Sequence, residues 1–543
     1  MKMKKGMSVL LGGVLLSSSL FATACGGGRA KGTVDVEGKT TIQVAGYDVG
    51  LGLDWLKEAA KEFEAKIGKQ SFEEGKEGVA VVVSGCEGAD MMETKNLNKD
   101  VYFTELFDYY KYVNKKKVAD ISSVVNDSLS VFGENTTVGA KMDQSIKDFL
   151  TSKDGNYYAL PFYDGFMGFI YDVEMFEDNG FFFDENGNFT GDPEQKSAGI
   201  DGVSGNWDDG LPKTYAQFNQ LVEYIRDEAD ITPFVYSPKT QDYFRKGMTN
   251  WWSDYEGKDY MLRNWNIEGE TDYIEGFDEN GEPIIKTTTV GVSNINVLQQ
   301  QPGKYYALDF IKDVVCSDED NYTSESDHKN AQLKFIKGEM ASEPVAMIME
   351  GAWWEIEADL ADSFNIISRN DIDYDATQGE YKNTRRFAFM PVPKVDEAHL
   401  AKSQKQTLYS GNDAFCFISA NSKGAKLEVA KLFLQFMHTD AQLSSFTAKM
   451  SITRSMNYQM KDEDLEKMTP FGKSVMEMKR VSDIVYPYSG HKYYIDNSSN
   501  FALGQWGWKS IINGRTAFNP FEEYLNYPKT TAKTYFEGLK KAH

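Results

Sequence analysis

The chain has 543 residues, with 58 Lys and Arg against 82 Asp and Glu, which gives a formal net charge of −24 at pH 7. A single hydrophobic core rarely grows beyond about 300 residues, so this length predicts two or more lobes. The acidic balance argues against a nucleic-acid-binding protein, which needs a basic face for phosphates, and against a polybasic membrane surface. Five His and the lack of a C-x-x-C pair disfavour a zinc or dithiol site, while aromatic residues reach 13%.

The first 25 residues have the pattern of a secretion signal. Lys2, Lys4 and Lys5 precede a mostly apolar run over residues 7–24, which is too short and too rich in Ser and Gly for a transmembrane helix. Small residues stand before Cys25 and a glycine run follows it, which resembles the signal of a bacterial lipoprotein. The resemblance implies that residues 1–24 are removed and that an acylated Cys25 anchors the protein on the extracellular face of the cell membrane. Ordinary secretion with a free Cys25 is the alternative.

After a flexible tether over residues 25–39, strand-like and helix-like segments alternate. Residues 41–44, 79–83 and 101–103 are short apolar runs that predict buried strands. Between the first two runs, an apolar residue recurs every fourth position and predicts an amphipathic helix, with Leu51, Trp55, Ala59, Phe63 and Ile67 on its buried face. Thr104 is placed to cap a second helix, which we expect to end near residue 117. This order predicts an α/β lobe with a largely parallel sheet.

The middle of the chain is richer in Asp, Asn and Gly. Residues 181–210 and 251–300 show little periodicity and predict long surface insertions, with hairpin turns at residues 185–187 and 279–281. Between the two insertions, Thr214 opens an amphipathic helix as the first residue of a capping box.

A second strand-and-helix unit follows the insertions. An apolar run over residues 414–418 precedes an amphipathic helix over residues 427–437. We therefore expect two α/β lobes with loop insertions. Cys86, Cys316 and Cys416 are odd in number and widely spaced, so we expect buried thiols with at most one disulfide.

Five segments, in a constant order, match the pattern of a known family. They are residues 154–176 (DGNYYALPF, then GFIYD and MF), 209–215 (DGLPKTY), 335–353 (FIKGEMA, then GAW), 389–393 (FMPVP), and 411–419 with the helix after it. They resemble family 1 of the extracellular solute-binding proteins of ABC importers, the group that includes maltodextrin-binding protein. Ala159 and Asp172 replace the usual Gly and Asn of this family, and Thr453-Arg454 lacks the Pro of its P-x-R turn.

The resemblance implies a two-lobed α/β clamp of the class II periplasmic-binding-protein type, with hinge strands. The first lobe is expected over residues 40–162 and 414–460, and the second over residues 163–413 and 461–543. Members of this family bind mostly sugars or oligosaccharides, deliver them to a membrane permease and catalyse no reaction. We therefore expect a monomeric, lipid-anchored binding protein with an oligosaccharide ligand, ABC permease subunits as partners, no required cofactor, and membrane contact through the anchor alone.

The chain holds side chains suited to a sugar, whose C–H face stacks on aromatic rings and whose hydroxyls bind carboxylates, amides or Arg. In this family a Trp in the G-x-W motif commonly stacks on the sugar, which singles out Trp353, beside Trp354 and Glu350. The other ligand candidates follow the predicted strands or lie in the insertion, the crossing and the return segment: Tyr47, Asp48, Glu105, Tyr163, Asp164, Trp251, Trp252, Asn412 and Arg454. Trp506 and Trp508 could line either the cleft or the core.

A structural calcium site is a further hypothesis. Oxygen-bearing side chains alternate after residue 183 and recur in the next loop, at Asp184, Asn186, Asn188, Asp192, Asp208 and Asp209. The start resembles an EF-hand loop, but Phe189 stands where that loop needs Gly, and no Glu occupies its twelfth position. The alternative is a hairpin with turn-forming Asn and Gly.

Two other functions stay open. The many acids permit a surface glycosidase or lyase that uses paired carboxylates, although the chain lacks G-x-S-x-G, H-E-x-x-H, G-x-x-x-x-G-K and G-x-G-x-x-G motifs. The same clamp could also carry a non-sugar polar solute. The Trp pairs favour a sugar over a small anion, for which Arg and helix N-termini are expected.

Overall fold

The computed structural model describes residues 36–92, 97–411, 414–487 and 519–541. Within these ranges the strands are β1 (Thr40–Tyr47), β2 (Val79–Cys86), β3 (Val101–Thr104), β4 (Leu160–Pro161), β5 (Met167–Asp172), β6 (Phe182–Phe183), β7 (Phe189–Thr190), β8 (Thr232–Tyr236), β9 (Gly269–Phe277), β10 (Pro283–Val290), β11 (Tyr322–Ser324), β12 (Val345–Gly351), β13 (Phe387–Phe389), β14 (Thr407–Tyr409), β15 (Phe415–Ile418) and β16 (Asp483–Val485).

In the same ranges the α-helices are α1 (Asp54–Ile67), α2 (Ala89–Met92), α3 (Tyr109–Asn114), α4 (Ser122–Asn126), α5 (Val138–Lys141), α6 (Gln144–Leu150), α7 (Val173–Asp178), α8 (Tyr215–Asp227), α9 (Asp242–Asn266), α10 (Pro302–Phe310), α11 (His328–Lys337), α12 (Trp354–Leu360), α13 (Ser363–Ser368), α14 (Tyr381–Thr384), α15 (Glu397–Lys402), α16 (Gly424–Met437), α17 (Asp440–Met450), α18 (Asp462–Lys467), α19 (Pro470–Val481), α20 (Pro520–Asn526) and α21 (Ala532–Lys541).

The first sheet has the strand order β2-β1-β3-β15-β4. β1 pairs in parallel with β2 and with β3, whereas β15 returns from far along the chain and runs antiparallel to β3 and β4. α1 buries the apolar stripe that its sequence predicts, including Trp55, Phe63 and Ile67. The Trp55 ring meets Phe103 of β3 edge-on at 5.6 Å, so the helix and the sheet share one aromatic core.

The second sheet has the order β11-β8-β12-β5-β13, and all its strands lie between residues 167 and 389. β11, β8 and β12 are parallel, while β5 and β13 are antiparallel to their neighbours. The chain therefore leaves the first sheet after β4 and returns to it at β15. The crossing segments meet where the Phe162 N–H donates to the Ala414 carbonyl at 2.9 Å. The residue boundaries of the two predicted lobes stay a prediction.

The turn predictions fare better than the insertion predictions. Residues 185–187 and 279–281 are indeed hairpin turns, which join β6 to β7 and β9 to β10. Residues 251–300, however, were predicted as a surface insertion, and α9 occupies the first part of them. This helix of 25 residues is interrupted at Gly257, whose φ of +73° is easy only for glycine. Tertiary packing overrides the weak helix propensity of its Gly, Asn and Asp residues.

The predicted start of the second helix in the first lobe is also corrected. Thr104 ends β3, and α3 begins only at Tyr109, where the Asp108 carboxylate accepts a hydrogen bond from the Lys111 N–H at 3.3 Å. In the described ranges, no helix combines the length and the apolar character needed to cross a bilayer. Cys86, Cys316 and Cys416 are free thiols, and of these only Cys416 is fully buried.

Candidate functional site

The carboxyl end of the first sheet brings Glu105 toward the second lobe. Glu105 follows β3 directly and is half-buried. The hydroxyl of Tyr163, in the segment that crosses between the sheets, donates a hydrogen bond to the Glu105 carboxylate. Burial raises the pKa of Glu105 to about 7, and this hydrogen bond opposes the rise. Two residues that the sequence singles out are therefore in direct contact.

The second lobe contributes two carboxylates held by one amide. Glu350 lies near the end of β12 and is 2% exposed, and Glu357 lies on α12. The Gln332 side chain on α11 donates to both carboxylates, with Nε2 at 3.2 Å from Glu350 Oε1 and 2.9 Å from Glu357 Oε2. Burial, followed by the charge of Glu357, raises the pKa of Glu350 to about 8.

Two aromatic rings complete this group. Trp353 follows β12 and Tyr243 lies in the first turn of α9, which follows β8, so both stand at the carboxyl edge of the second sheet. Their rings meet edge-on, with centroids 6.1 Å apart and planes at 84°. Burial, and then the charges of Glu350 and Glu357, raise the pKa of Tyr243 above its usual range.

Groups of both lobes converge at one place, because Gly50 of the first lobe lies beside Glu357, and the charge of Glu105 acts on Tyr243. We call this set the interlobe cluster; its members are Glu105, Tyr163, Tyr243, Glu350, Trp353 and Glu357.

The loop after β1 approaches the interlobe cluster from the first lobe. A Cβ added to Gly50, whose φ is +78°, would lie 3.5 Å from Glu357 Oε1. Tyr47 is half-buried and Asp48 is exposed at this edge of the sheet, and Asp48 lies against Gly85 at the end of β2. The predicted role of Tyr47 and Asp48 in ligand binding stays a prediction.

Asp164, also predicted as a ligand residue, is part of the hinge instead. It is fully buried, and its carboxylate accepts hydrogen bonds from Thr453 Oγ1 at 2.7 Å, Lys479 Nζ at 2.7 Å and Tyr486 Oη at 3.1 Å. Its N–H donates to the Thr453 carbonyl at 2.8 Å. The carboxylate therefore ties the first crossing segment to the chain around Thr453 and to α19.

The prediction that Arg454 binds the ligand is corrected in the same way. The side chain is fully buried, and its Nε donates to the Phe162 carbonyl. The guanidinium lies over the rings of Phe162 and Phe446, 5.3 and 5.1 Å from their centroids. We call Asp164, Thr453, Arg454, Lys479 and Tyr486 the hinge network.

Three of the four tryptophans predicted to face a ligand lie in the core. Trp354 is fully buried between Phe387 and Phe471, and both contacts are edge-on. Trp251 and Trp252 are 3% and 0% exposed on α9. The prediction for this pair was wrong because the polar residues beside it are also buried, in a helix and not in a loop: Asn250 bonds to the backbone of Met167 and Tyr409, and Asp254 pairs with Lys394.

The sequence prediction missed Tyr243, Gln332 and Glu357. Tyr243 had a usable signal, since it comes shortly after the apolar run of β8, and the ends of parallel strands meet at one edge of a sheet. Gln332 and Glu357 lie on helices whose sequences carry no sign of this edge. Asn412, Trp506, Trp508 and the lipidation residue Cys25 lie outside the described residues, so their predicted roles stay predictions.

The residues of the calcium hypothesis serve two separate loops. The Asp184 carboxylate accepts hydrogen bonds from the N–H groups of Asn186 and Asn188, both at 2.8 Å, as in the hairpin alternative. Asp192 caps a short 3₁₀ turn, while Asp208 and Asp209 accept from backbone N–H groups of residues 200, 201 and 205. Among the residues that the structure describes, no three His, Cys, Asp or Glu are grouped so as to hold a metal ion.

A cavity of about 1000 Å³ lies beside the hinge network, lined by residues that include Lys479 and Tyr486. Two ion pairs lie in its wall: Lys258 Nζ is 3.0 Å from Asp143 Oδ2, and Lys141 Nζ is 2.7 Å from Asp440 Oδ1. All three side-chain partners of Asp164, namely Thr453, Lys479 and Tyr486, line this cavity, whereas the preceding residue, Tyr163, reaches the interlobe cluster.

The fold is that of known structures, although no protein-family model and no curated protein matches the sequence. The apo form of RafE from Streptococcus pneumoniae is 12% identical over 94% of this chain and 98% of that chain, with a TM-score of 0.54. A probable secreted solute-binding lipoprotein from Streptomyces coelicolor is 12% identical over 93% of this chain and 98% of its own, with a TM-score of 0.53.

The chain has the solute-binding-protein fold. The cyclic α-maltosyl-1,6-maltose binding protein from Arthrobacter globiformis shares it at 13% identity, over 93% of this chain and 98% of that chain, with a TM-score of 0.51. The expectation of a two-lobed α/β protein is therefore confirmed, and the resemblance to solute-binding proteins is confirmed for the fold. In such a fold the edge where the two lobes face each other is the natural position for a ligand.

Proposed function

We propose that this protein is the substrate-binding component of an ABC importer, which holds an oligosaccharide between its lobes and delivers it to a membrane permease. The observation that carries the proposal is the interlobe cluster. Strand ends of both lobes bring carboxylates to a half-buried tryptophan, at the position where lobe closure would enclose a ligand.

The chemistry of the cluster fits a sugar ring. The indole of Trp353 offers an apolar face for C–H groups, and the carboxylates of Glu105, Glu350 and Glu357 accept hydrogen bonds from hydroxyls. Micromolar affinity corresponds to about −8 kcal/mol, which a few such contacts supply after the cost of ordering the ligand. Among the similar structures, RafE has been solved in complex with raffinose, and another is a cyclic maltosyl-maltose binding protein.

We further propose that Cys25 carries the lipid anchor on the extracellular face of the cell membrane and that the ABC permease subunits are the protein partners. The lysine-rich start, the short apolar run and the small residues before Cys25 support the anchor. Labelling with a radioactive fatty acid tests it: wild type should incorporate label into the membrane fraction, whereas Cys25→Ser should not.

The proposed role is binding without catalysis. The paired carboxylates of the interlobe cluster are the observation that favours the alternative, a glycosidase or lyase, since burial holds the pKa of Glu350 and of Glu105 near neutrality, as in a general acid. Incubation with a panel of neutral, amino and acidic oligosaccharides, followed by a reducing-end assay, separates the two. Release of new reducing ends that Glu350→Gln abolishes would replace the binding role with an enzymatic one.

Isothermal titration calorimetry against the same panel tests the proposal directly. We expect saturable binding of at least one oligosaccharide at micromolar concentration, and we expect Trp353→Ala to weaken it at least tenfold. If no oligosaccharide of the panel binds and a peptide or another polar solute binds instead, the carbohydrate assignment is wrong and the role of the two lobes in binding a solute stands.

A further inference from the structure

The interlobe cluster is unusual in how its charge is balanced. Glu350 and Glu357 share the Gln332 amide, and the charge of Glu357 also acts on Glu105. The groups that act on Glu350 are Glu357, the Gln332 amide and the Gly351 N–H, and none of them is a cation. A buried carboxylate normally has a cationic partner, so the cluster lacks positive charge.

The nearby cations do not supply that charge. Lys246 is the cation that acts on Glu105, but it is exposed and lies 4.0 Å from Asp242, to which Arg245 is also bound. His328 lies 3.6 Å from Glu357, on the side of α11. Neither forms an ion pair with Glu350, the most buried of the three carboxylates.

A second observation points to a missing hydrogen-bond donor. Gln332 is fully buried and uses Nε2 to donate to both Glu350 and Glu357. Its Oε1 is also buried and accepts no hydrogen bond from the described residues. Both carboxyl groups contact Nε2, which leaves Oε1 as the unpartnered atom of the amide. An orphaned acceptor on the amide that holds Glu350 and Glu357 calls for a ligand that donates hydrogen bonds.

The aromatic members restrict the ligand further. The Trp353 and Tyr243 rings meet edge-on beside the carboxylates, and an aromatic face attracts a cation as well as the C–H face of a sugar. A sugar that carries an ammonium group matches the indole, the carboxylates and the Gln332 oxygen together. A uronic acid would place its own carboxylate beside these carboxyl groups.

We propose that the ligand of the interlobe cluster is an amino sugar, a saccharide with a protonated amino group, and that acidic sugars are excluded. This inference rests on the proposed function, since it names the class of oligosaccharide that the clamp holds.

Binding of such a cation is coupled to proton release. Burial favours the protonated forms of Glu350 and Glu105, and an ammonium group nearby favours the ionised forms. At pH 7 we therefore expect the amino sugar to displace protons into the buffer. Titrations in phosphate and in Tris, which differ in heat of ionisation, measure the number released.

The test compares ligands that differ only in the amino group. Glucosamine oligosaccharides, their N-acetylated counterparts and neutral gluco-oligosaccharides of equal length are titrated into the wild-type protein at pH 7. We expect the glucosamine oligosaccharide to bind at least tenfold tighter than either, with net proton release. If a neutral or N-acetylated sugar binds equally well or better, the inference is wrong and the proposed function stands; if no saccharide binds, both fail.

A matched pair of variants assigns the effect to the cluster. Glu350→Gln keeps the shape and removes one charge, and should lower affinity for the glucosamine oligosaccharide at least tenfold while reducing proton release. Glu355→Gln is the control, because Glu355 is equally buried but binds Ser451 and Thr469 instead of the cluster. Equal losses of affinity in both variants, at unchanged melting temperature, would overturn the assignment.

Discussion

The hinge network and the interlobe cluster both join the two lobes, and each contains a buried carboxyl group, but the charges around these groups are balanced in opposite ways. At the hinge, Asp164 meets an ammonium group and two hydroxyls from three parts of the chain. In the cluster, Glu350 meets an amide, an N–H group and a second carboxylate. Satisfied charge stabilises a junction, whereas unsatisfied charge at a lobe interface is a feature that a ligand can satisfy.

The largest effect on the free energy of unfolding should come from removing the carboxylate of the hinge network. Asp164→Ala leaves the Lys479 ammonium, whose side chain is only 16% exposed, without its carboxylate, and removing one partner of a buried pair costs about 3–5 kcal/mol. Urea denaturation should show this loss in the free energy of unfolding. A loss below about 1 kcal/mol would mean that the hinge network is not what holds the crossing segments together.

The adjacent tryptophans sharpen the comparison within two residues. Trp354→Ala should cost about 3–5 kcal/mol of unfolding free energy, because it leaves a cavity between Phe387 and Phe471. Trp353→Ala should cost about 1–2 kcal/mol, since this ring is only half-buried, and should instead weaken binding of the oligosaccharide selected by titration. Thermal unfolding and calorimetry on both variants check the two effects separately. The reverse pattern would place Trp353 in the core and remove it from the site.

In the interlobe cluster, the unpaired carboxyl of Glu350 should make the free energy of unfolding depend on pH. A carboxyl whose pKa is raised on folding binds its proton more tightly in the folded state, so stability falls as pH rises. Glu350 should contribute a loss of roughly 1 kcal/mol per pH unit between about pH 5 and 8. Urea titrations of wild type and Glu350→Gln at pH 6, 7 and 8 should show a shallower slope in the variant; identical slopes would contradict it.

The smallest effect should come from an ion pair outside both regions. Lys405 and Asp483 form a pair whose side chains are 52% and 44% exposed. Lys405→Ala should change the free energy of unfolding by at most about 1 kcal/mol, because solvent screens such a pair. This variant is the reference against which the Asp164→Ala loss is measured in the same denaturant series.

Local periodicity accounts for the parts of the fold that the sequence predicts. The four-residue spacing from Leu51 to Ile67 predicts α1, and the apolar runs predict β1 to β3, because each pattern reports a face buried against its own neighbours. α9 was missed because its apolar residues are interleaved with Asn, Ser and Gly, which have low helix propensity and are common in loops. Tertiary packing decides that this segment is a helix.

The site divides along the same line. Glu105, Tyr163, Glu350 and Trp353 were predicted because they follow strands or occupy a motif, and the structure brings them together in one cluster. Asp164 and Arg454 were predicted in the same way, as polar residues of the crossing and return segments, yet they lie in the hinge network. Adjacent residues in an extended segment point to opposite sides, so Tyr163 reaches one region and Asp164 the other.

By itself, the sequence of this protein determined its two α/β lobes and the identity of the strand ends, since these depend on spacing within a few residues. Only the tertiary structure decided which charges are paired. Pairing depends on residues that are hundreds of positions apart in the chain, such as Asp164 and Lys479. It also depends on the tertiary structure that, among the described residues, no cation acts on Glu350. The type of a residue determines which groups it can bind, and its surroundings in the folded protein determine which of its hydrogen-bonding or charged groups stay without a partner.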